Sequence, residues 1–492
     1  MSRIISKAHL RFDPKRNAFK YQAEAFQAIK DLEYSAIFHE QGLGKTKIAI
    51  DLLLYWLTNK DIDTVMIVTK KQLVKNWQDE FSFHTYLIPR VLSSNKVDNF
   101  YVLNSPTKVI ITNFETLSTD KERIKLFLKC RNVAIIIDES TKLKNPDSQL
   151  TKNFFELSSF FKIKTIMTGT PVANRPYDLW AQIYFLDQGK SLGSDFNDFK
   201  SKTDLSNNLS DNMETRKSFE NTVSSIFEKI DTFSIRETKK TAGIVLPQKI
   251  YQTIYASFSP MQHTMYNTVI KNLMVELVRD GKVFIDDDSV ALKRLLRLLQ
   301  IASNPLLIDD SYQEKSGKEI ELKKLLDTII SRGEKCIVWS SFIENIDYYS
   351  KQFKQYNPRK IHGAMNIEDR NRSVDLFKND NDCKVLFATP QAAKEGLTLT
   401  VANNVIFYDR GFNLDDYLQA QDRIHRISQQ KTCYVYNLML KDSIDDWINN
   451  LLEAKQYAAF LAQGDISKTE YQELANYNYC DLIKEILQQE EL

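Results

Sequence analysis

Between about residues 35 and 190 the chain alternates short β-branched apolar runs with helix-length amphipathic stretches. The runs are "SAIF", "TVMIVT", "KVIITN", "VAIIID" and "KTIMTG", each followed by a turn or helix signal. That alternation predicts a parallel sheet covered by helices. A second series, "KCIVWSS", "RKIHG", "KVLFAT", "NVIFYD" and "TCYVYNL", runs from 335 to 440. Two α/β lobes are therefore predicted. Between them "KSFENTVSSIFEKIDTF" and "MQHTMYNTVIKNLMVELVRDG" carry helical spacing, and "SVALKRLLRLLQIASNP" predicts an apolar-basic helix that Asn304-Pro305 ends. The stretch "KDSIDDWINNLLEAKQ" after 441 also reads as helix. The predicted organisation is a first lobe at 1–190, a helical insertion at 191–330, a second lobe at 331–440 and a helical tail at 441–492. No repeat period and no low-complexity tract interrupts it.

Composition narrows the class. A chain of 492 residues exceeds one ordinary core, and 43% apolar with 26% charged residues is a soluble globular balance. The net charge is only +2, so a nucleic-acid surface has to be a local patch. Cys130, Cys336, Cys383, Cys433 and Cys480 are scattered without CxxC spacing, which predicts idle thiols in a reducing compartment. The start "MSRIISKAHLRFDPKRN" has no apolar core of signal-peptide length, and no run approaches a membrane span. An intracellular protein with no membrane contact is expected.

Chemistry concentrates at the predicted strand ends. In "SAIFHEQGLGKTKIAI" a strand runs into a glycine turn and a helix start. Gly42 and Gly44 would let backbone amides close around phosphate oxygens at the positive end of a helix. Lys45 would reach the terminal phosphates and the Thr46 hydroxyl would ligate magnesium. The strict GxxxxGK[ST] spacing fails, because His39 stands at the first glycine. In "NVAIIIDESTKLKN" an apolar run ends in two acids: Asp138 suits the metal, and Glu139 suits the water that attacks. By itself the stretch also reads as a strand leaving the core through a solvated acidic turn. The glycine loop upstream in the same lobe favours the first reading. At another strand end, Thr168, Gly169 and Thr170 could sense the phosphate. In "DDYLQAQDRIHRISQQ" the spacing predicts Gln419, Arg423 and Arg426 on one helix, with the two arginines on one face. Such a pair can cancel charge on a transferring phosphoryl group, or form an exposed basic face.

The order of these motifs resembles the superfamily-two helicases, and their detail resembles the Swi/Snf-type remodelling ATPases, the Snf-two helicase-like family, over nearly the whole chain. "FKYQAEAF" is similar to the family's adenine-reading segment, around Gln22, and "HEQGLGKT" to its phosphate loop. "MIVTKKQLVKNWQDEF", "ITNFETL", "DESTKLKN" and "TGTPVANRPYDLW" follow in the family's order. "IRETKKTAGIVLPQK" and "LRLLQIASNPLLI" resemble segments absent from generic helicases, and "SIDDWINNLLEAK" its closing helix. "GLTLT" looks closest to annealing-helicase, phage or bacterial members. The chain departs from the pattern at His39 (usually an acid), Thr141 (usually a histidine), Ser428 (usually a glycine), Glu237 (usually an arginine) and "AAKEGL", which lacks a glycine pair.

The resemblance implies an α/β fold of two RecA-like parallel-sheet lobes, with a helical insertion between them and a helical C-terminal tail. It implies ATP and Mg2+ held by Gln22, Glu40, Gln41, Gly42, Leu43, Gly44, Lys45, Thr46, Gly396 and Gln419, with Thr46 and Asp138 on the metal. Catalysis falls to Lys45, Asp138, Glu139, Arg423 and Arg426, and coupling to Thr141, Thr168, Gly169 and Thr170. Duplex DNA, branched DNA included, would be gripped through sugar-phosphate contacts by Lys70, Thr112, Asn113, Ser340, Thr389 and Lys394. The implied activity is an ATP-dependent double-stranded DNA translocase that moves by cleft closure between the lobes. A strand-separating DNA or RNA helicase and a nucleotide-gated clamp with weak turnover are the alternatives. A monomer in the cytoplasm of a bacterium or phage host, or the nucleus of a eukaryote, is expected, with protein partners in replication, repair or transcription.

Overall fold

The computed structural model describes residues 11–208, 212–280, 289–392, 397–426 and 428–475. Lys394 and Gly396 lie outside the described residues. These residues form two parallel sheets, each in its own compact unit: the described residues of 11–204, 217–244 and 459–468 in one, and those of 205–208, 212–216, 245–280, 289–392, 397–426, 428–458 and 469–475 in the other.

In the first unit the predicted apolar runs become β1 (Tyr34–Ile37), β2 (Thr64–Thr69), β4 (Val109–Asn113), β5 (Val133–Asp138) and β6 (Ile163–Met167), with β3 (Arg90–Val91) and β7 (Ser234–Ile235) added. The order is β3-β4-β2-β5-β6-β1-β7, every pair parallel. All six residues of β2 and all six of β5 are buried, which is why these runs are apolar at nearly every position rather than alternate ones. Ile48, Leu52, Leu53 and Trp56 of the helix Lys45–Asn59 share one apolar cluster with Ile67 and Ile136 of the sheet. At the far end of that helix the Trp56 indole donates to the Lys30 carbonyl (3.1 Å).

The second unit contains β8 (Lys249–Ala256), β9 (Cys336–Trp339), β10 (Arg359–Ile361), β11 (Val385–Ala388), β12 (Asn404–Phe407) and β13 (Cys433–Leu440), in the order β10-β11-β9-β12-β13-β8, again all parallel. Apolar clusters cover both faces, one around Trp339, Phe377 and Leu399 and the other around Leu326, Tyr349 and Tyr408.

The helices Met213–Ile230, Pro260–Asp280, Ser289–Ser303 and Ile444–Ala462 fall where helical spacing placed them, and Asn304 and Pro305 end the third. The stretch expected as purely helical also holds β7 and β8. In β8, Tyr251 and Tyr255 are exposed, because an edge strand buries little of itself. A second correction concerns the arginines. The helix Leu414–Gln421 stops before them, and Arg423 and Arg426 sit in the turn that follows. There the Arg423 carbonyl accepts from Leu399 N–H (2.9 Å), and the Gln429 side chain donates to the carbonyls of Ile424, Thr400 and Ala402. These contacts replace the helical ladder.

Candidate active site

Because β5, β6 and β1 are neighbours in a parallel sheet, the acidic pair, the threonine turn and the glycine loop leave adjacent strands at the same carboxyl edge. Gly42 and Gly44 have φ of 88° and 68°, backbone that a side chain resists. Gly44 caps the helix that starts at Lys45, so the amides of its first turn point into the loop. A Cβ on Gly169 would stand 2.7 Å from Gln41 Cγ and 3.3 Å from Lys45 Nζ. The bare glycine therefore brings the Thr168–Thr170 turn against the loop. A Cβ on Gly44 would stand 2.4 Å from Gln22 Nε2.

Lys45 Nζ donates to the carbonyls of His39 (2.9 Å) and Glu40 (3.4 Å). Desolvation lowers its pKa, opposed by the charges of Glu139 and Asp138. Asp138 Oδ2 accepts from the Trp77 indole (2.9 Å) and the Thr69 hydroxyl (3.1 Å). Burial and the neighbouring Glu139 push its carboxyl up to about 6. Glu139 has φ 57° and ψ 50°, left-handed backbone at a non-glycine residue. Such strain persists only where the surrounding structure holds it. Its Oε2 lies 3.6 Å from Lys70 Nζ and makes no hydrogen bond among the described residues.

The donors fit a magnesium ion. Asp138 Oδ2 is fixed by Trp77 and Thr69, which orients the carboxylate for a hard cation, and Thr46 stands half-buried in the first turn of the helix Lys45–Asn59. Among the described residues no cluster of three or more His, Cys, Asp or Glu could form a cage. A magnesium ion needs none, since it keeps waters and takes further oxygens from phosphates.

Gln22 is buried, and its amide donates to the Leu43 carbonyl (3.1 Å) while its oxygen accepts from Phe19 N–H (3.0 Å). It braces the loop. Exposed Phe19 stacks on Tyr21 (6.1 Å between centroids), whose hydroxyl donates to the Leu43 carbonyl (3.1 Å). Glu40 is pinned by Lys239, through its backbone N–H (2.8 Å) and ammonium (2.9 Å). Gln182 stands outside the expected set. Fully buried, it accepts from Ser140 Oγ (2.7 Å) and donates to the Pro171 carbonyl (2.8 Å), joining the turn after Glu139 to the turn after Thr170. Thr141 is half-buried in the same short turn, Ser140–Leu143.

The expected nucleic-acid contacts look different in place. Thr112, Asn113, Ser340 and Thr389 are buried. Asn113 caps the helix Phe114–Thr119 by accepting from Thr116 N–H (2.8 Å), and the Ser340 hydroxyl donates to Asp409 (2.5 Å). Lys70 is half-buried beside Glu139. In the second unit, Gln419 donates to Asp415 (2.7 Å), Arg426 to Thr398 Oγ1 (2.6 Å), and Arg423 is buried.

His39 lies at the loop's entrance, nearly inaccessible, with neither ring nitrogen in a well-formed hydrogen bond among the described residues. Burial and the Lys45 ammonium push its imidazole down to about 4, against a pull up from the Ile235 carbonyl. The folded pKa lies below the unfolded one, so stability is full above about pH 6.5 and falls as pH drops toward 4, by up to about 3 kcal/mol. Replacing His39 by Phe is expected to flatten the unfolding free energy across that window. An unchanged slope in urea titrations at about pH 4.5 and 7 would place the acid sensitivity elsewhere.

The family description "SNF2-related domain" matches residues 28–307, and "Helicase conserved C-terminal domain" matches 317–428. Among curated relatives, a Mycoplasma pneumoniae protein described as an uncharacterized ATP-dependent helicase is 28% identical over 92% of this chain and 42% of its own length. The mouse SWI/SNF-related matrix-associated actin-dependent regulator of chromatin subfamily A member 1 is 26% identical over 90% of this chain and 43% of its own length. The chain thus spans about two fifths of the length of these curated relatives. A solved Sulfolobus solfataricus SWI2/SNF2 ATPase core in complex with dsDNA is 25% identical and covers 94% of this chain and 98% of its own, at a TM-score of 0.42. With more than half of its length matched by one family description, and that half holding the glycine loop and the acidic pair at the carboxyl edge of one sheet, the chain belongs to the SNF2-related family.

Proposed function

We propose that the chain is a DNA-stimulated ATPase that translocates along double-stranded DNA. The observation that carries the hydrolytic half is the meeting of Lys45, Gly169 and the Asp138–Glu139 pair at three adjacent strand ends. Lys45 and the loop amides hold the phosphates and spread their charge, and Gln22 and Lys239 keep that loop in place. The strained backbone aims Glu139 so that its carboxylate takes the proton of the attacking water. Magnesium, held through Asp138 and Thr46, would supply Lewis-acid stabilisation of phosphate charge.

Duplex DNA as the track is supported by family membership and by the mouse relative's name as a chromatin regulator. Among the described contact candidates, Lys70 offers the charged side chain for a phosphate, while the buried hydroxyls leave backbone amides at the strand ends as the other donors. The experiment is ATP turnover without nucleic acid and with single-stranded, duplex and forked DNA, beside triplex displacement. Duplex-stimulated turnover with triplex displacement is expected, and rates that ignore DNA would sink the reading. Unwinding of a forked duplex would favour a strand-separating helicase.

A further inference from the structure

The helix Ile444–Ala462 begins in the second unit, but its last turn and the loop after it, residues 459–468, pack within the first. How that end is fixed follows from its sequence. Gly464 takes φ 71° after the helix, and Asp465 N–H returns to the Phe460 carbonyl (2.9 Å) while Gly464 N–H returns to Leu461 (3.2 Å). This is a glycine C-cap. A Cβ on Gly464 would stand 2.9 Å from the Phe227 ring on the helix Met213–Ile230. A few residues on, Lys468 donates to Asn221 of that same helix (2.5 Å). The turn is thus held from both sides, and Asp465 with it.

Asp465 grips one side chain, Arg236. Its two oxygens accept from Arg236 Nε (2.6 Å) and Nη2, a planar two-point pairing with both residues largely buried. The remaining guanidinium nitrogen, Nη1, donates to the Phe38 carbonyl (2.9 Å). Phe38 directly precedes the glycine loop. Its own N–H pairs with Ile235 (2.8 Å) and that of Glu40 with Glu237 (2.8 Å), so the backbone around Arg236 extends the β1–β7 pairing into the loop. Arg236 also raises the local positive potential felt by Lys45 and His39.

We propose that Asp465 is a positioning residue for the nucleotide: by fixing Arg236 on the Phe38 carbonyl, it holds the strand end from which the phosphate-binding loop springs. The proposal rests on the reading of that loop as an ATP site. Freed from Asp465, the guanidinium can leave Phe38, and the loop loses its only charged tether at residue 38 among the described contacts. Placement of the triphosphate suffers before the chemistry does.

The test uses the full chain with Asp465→Asn, which keeps the shape and removes the charge, with Asp465→Glu, and with Gly464→Ala, which strains the cap and pushes on Phe227. Affinity for a fluorescent ATP analogue is measured beside KM and kcat for ATP and the thermal midpoint. Asp465→Asn is expected to weaken nucleotide binding and raise KM about tenfold, the worth of one charge-assisted hydrogen bond, with kcat within about twofold. Gly464→Ala should shift KM the same way, and Asp465→Glu should recover part of the loss. An unchanged or lower KM overturns the proposal, the lower value because it would mean Asp465 merely screens positive charge. Loss of the fold at assay temperature overturns it in favour of a purely structural tie. A wild-type chain that binds no ATP overturns the ATPase reading itself, an outcome distinct from wild-type binding that Asp465→Asn leaves untouched.

Discussion

Glu139→Gln is expected to lower kcat for ATP hydrolysis by about 10²- to 10⁴-fold, the usual contribution of a positioned general base, while ATP still binds. The substitution is nearly isosteric, so the turn that holds φ at 57° has no steric reason to relax. What changes is charge and basicity at one atom. Among the described residues Oε2 has no hydrogen-bond donor, and Lys70 stands at 3.6 Å, so the carboxylate is held near a cation without a short contact to it. An amide there cannot accept the proton of an attacking water. Lys45→Ala should differ in kind. Lys45 bridges the loop carbonyls of His39 and Glu40 and stands beside Gly169, so its loss removes the cation from the proposed phosphate site and should weaken binding as well as turnover. Single-turnover hydrolysis with a parallel nucleotide-binding titration separates the two. Turnover in Glu139→Gln equal to wild type would remove Glu139 from the chemistry.

The parts of this site that sequence made readable are those where one residue type does a job no other can. Gly42 and Gly44 need left-handed backbone, and fully buried strands need apolar residues at nearly every position, so the loop, β2 and β5 were visible. The side chains that hold these pieces were not visible. Gln182 is a lone amide in the largely apolar helix Trp180–Asp187, and nothing in its spacing says that it joins Ser140 to Pro171. Gln22 could be read as a nucleotide contact, but its bonds to Leu43 and Phe19 belong to tertiary packing. Strand β8 was hidden for a different reason. An edge strand that exposes Tyr251 and Tyr255 lacks the uniform apolar pattern of its neighbours, and the helices around it set the expectation. Hydroxyls at strand ends are legible only as residue types, not in what they bond. Ser340 and Thr112 stand where phosphate contacts were expected, but parallel strands bury their ends, and Asp409 claims Ser340.

The second unit carries the largest stability effect. Asp445→Asn is expected to destabilise it by about 3–5 kcal/mol, because it strands the Lys318 ammonium in a site with no access to water. Lys318 is fully buried at the start of the helix Gly317–Ser331, and its Nζ lies 2.6 Å from Asp445 Oδ2. The same oxygen accepts from Leu440 N–H (2.8 Å) at the end of β13, and Ile444 N–H nearby donates to the buried Tyr266 hydroxyl (2.7 Å). The pair therefore joins a helix start, a strand end and the first turn of the helix Ile444–Ala462. Such a pair gains little over apolar packing while it is whole, since desolvation offsets its attraction, but breaking one half leaves a charge with no solvent to turn to. Replacing Lys318 as well, in Lys318→Met with Asp445→Asn, should recover most of the loss, because the asparagine oxygen still serves Leu440 N–H. Removing that acceptor too, with Asp445→Leu in place of Asp445→Asn, should cost about 1–3 kcal/mol more for the orphaned amide. Urea unfolding of the single, double and wild-type chains, followed through the tyrosine and tryptophan signals, gives the coupling energy. A double variant no more stable than Asp445→Asn would show that the loss comes from strain around the introduced amide and not from the stranded lysine.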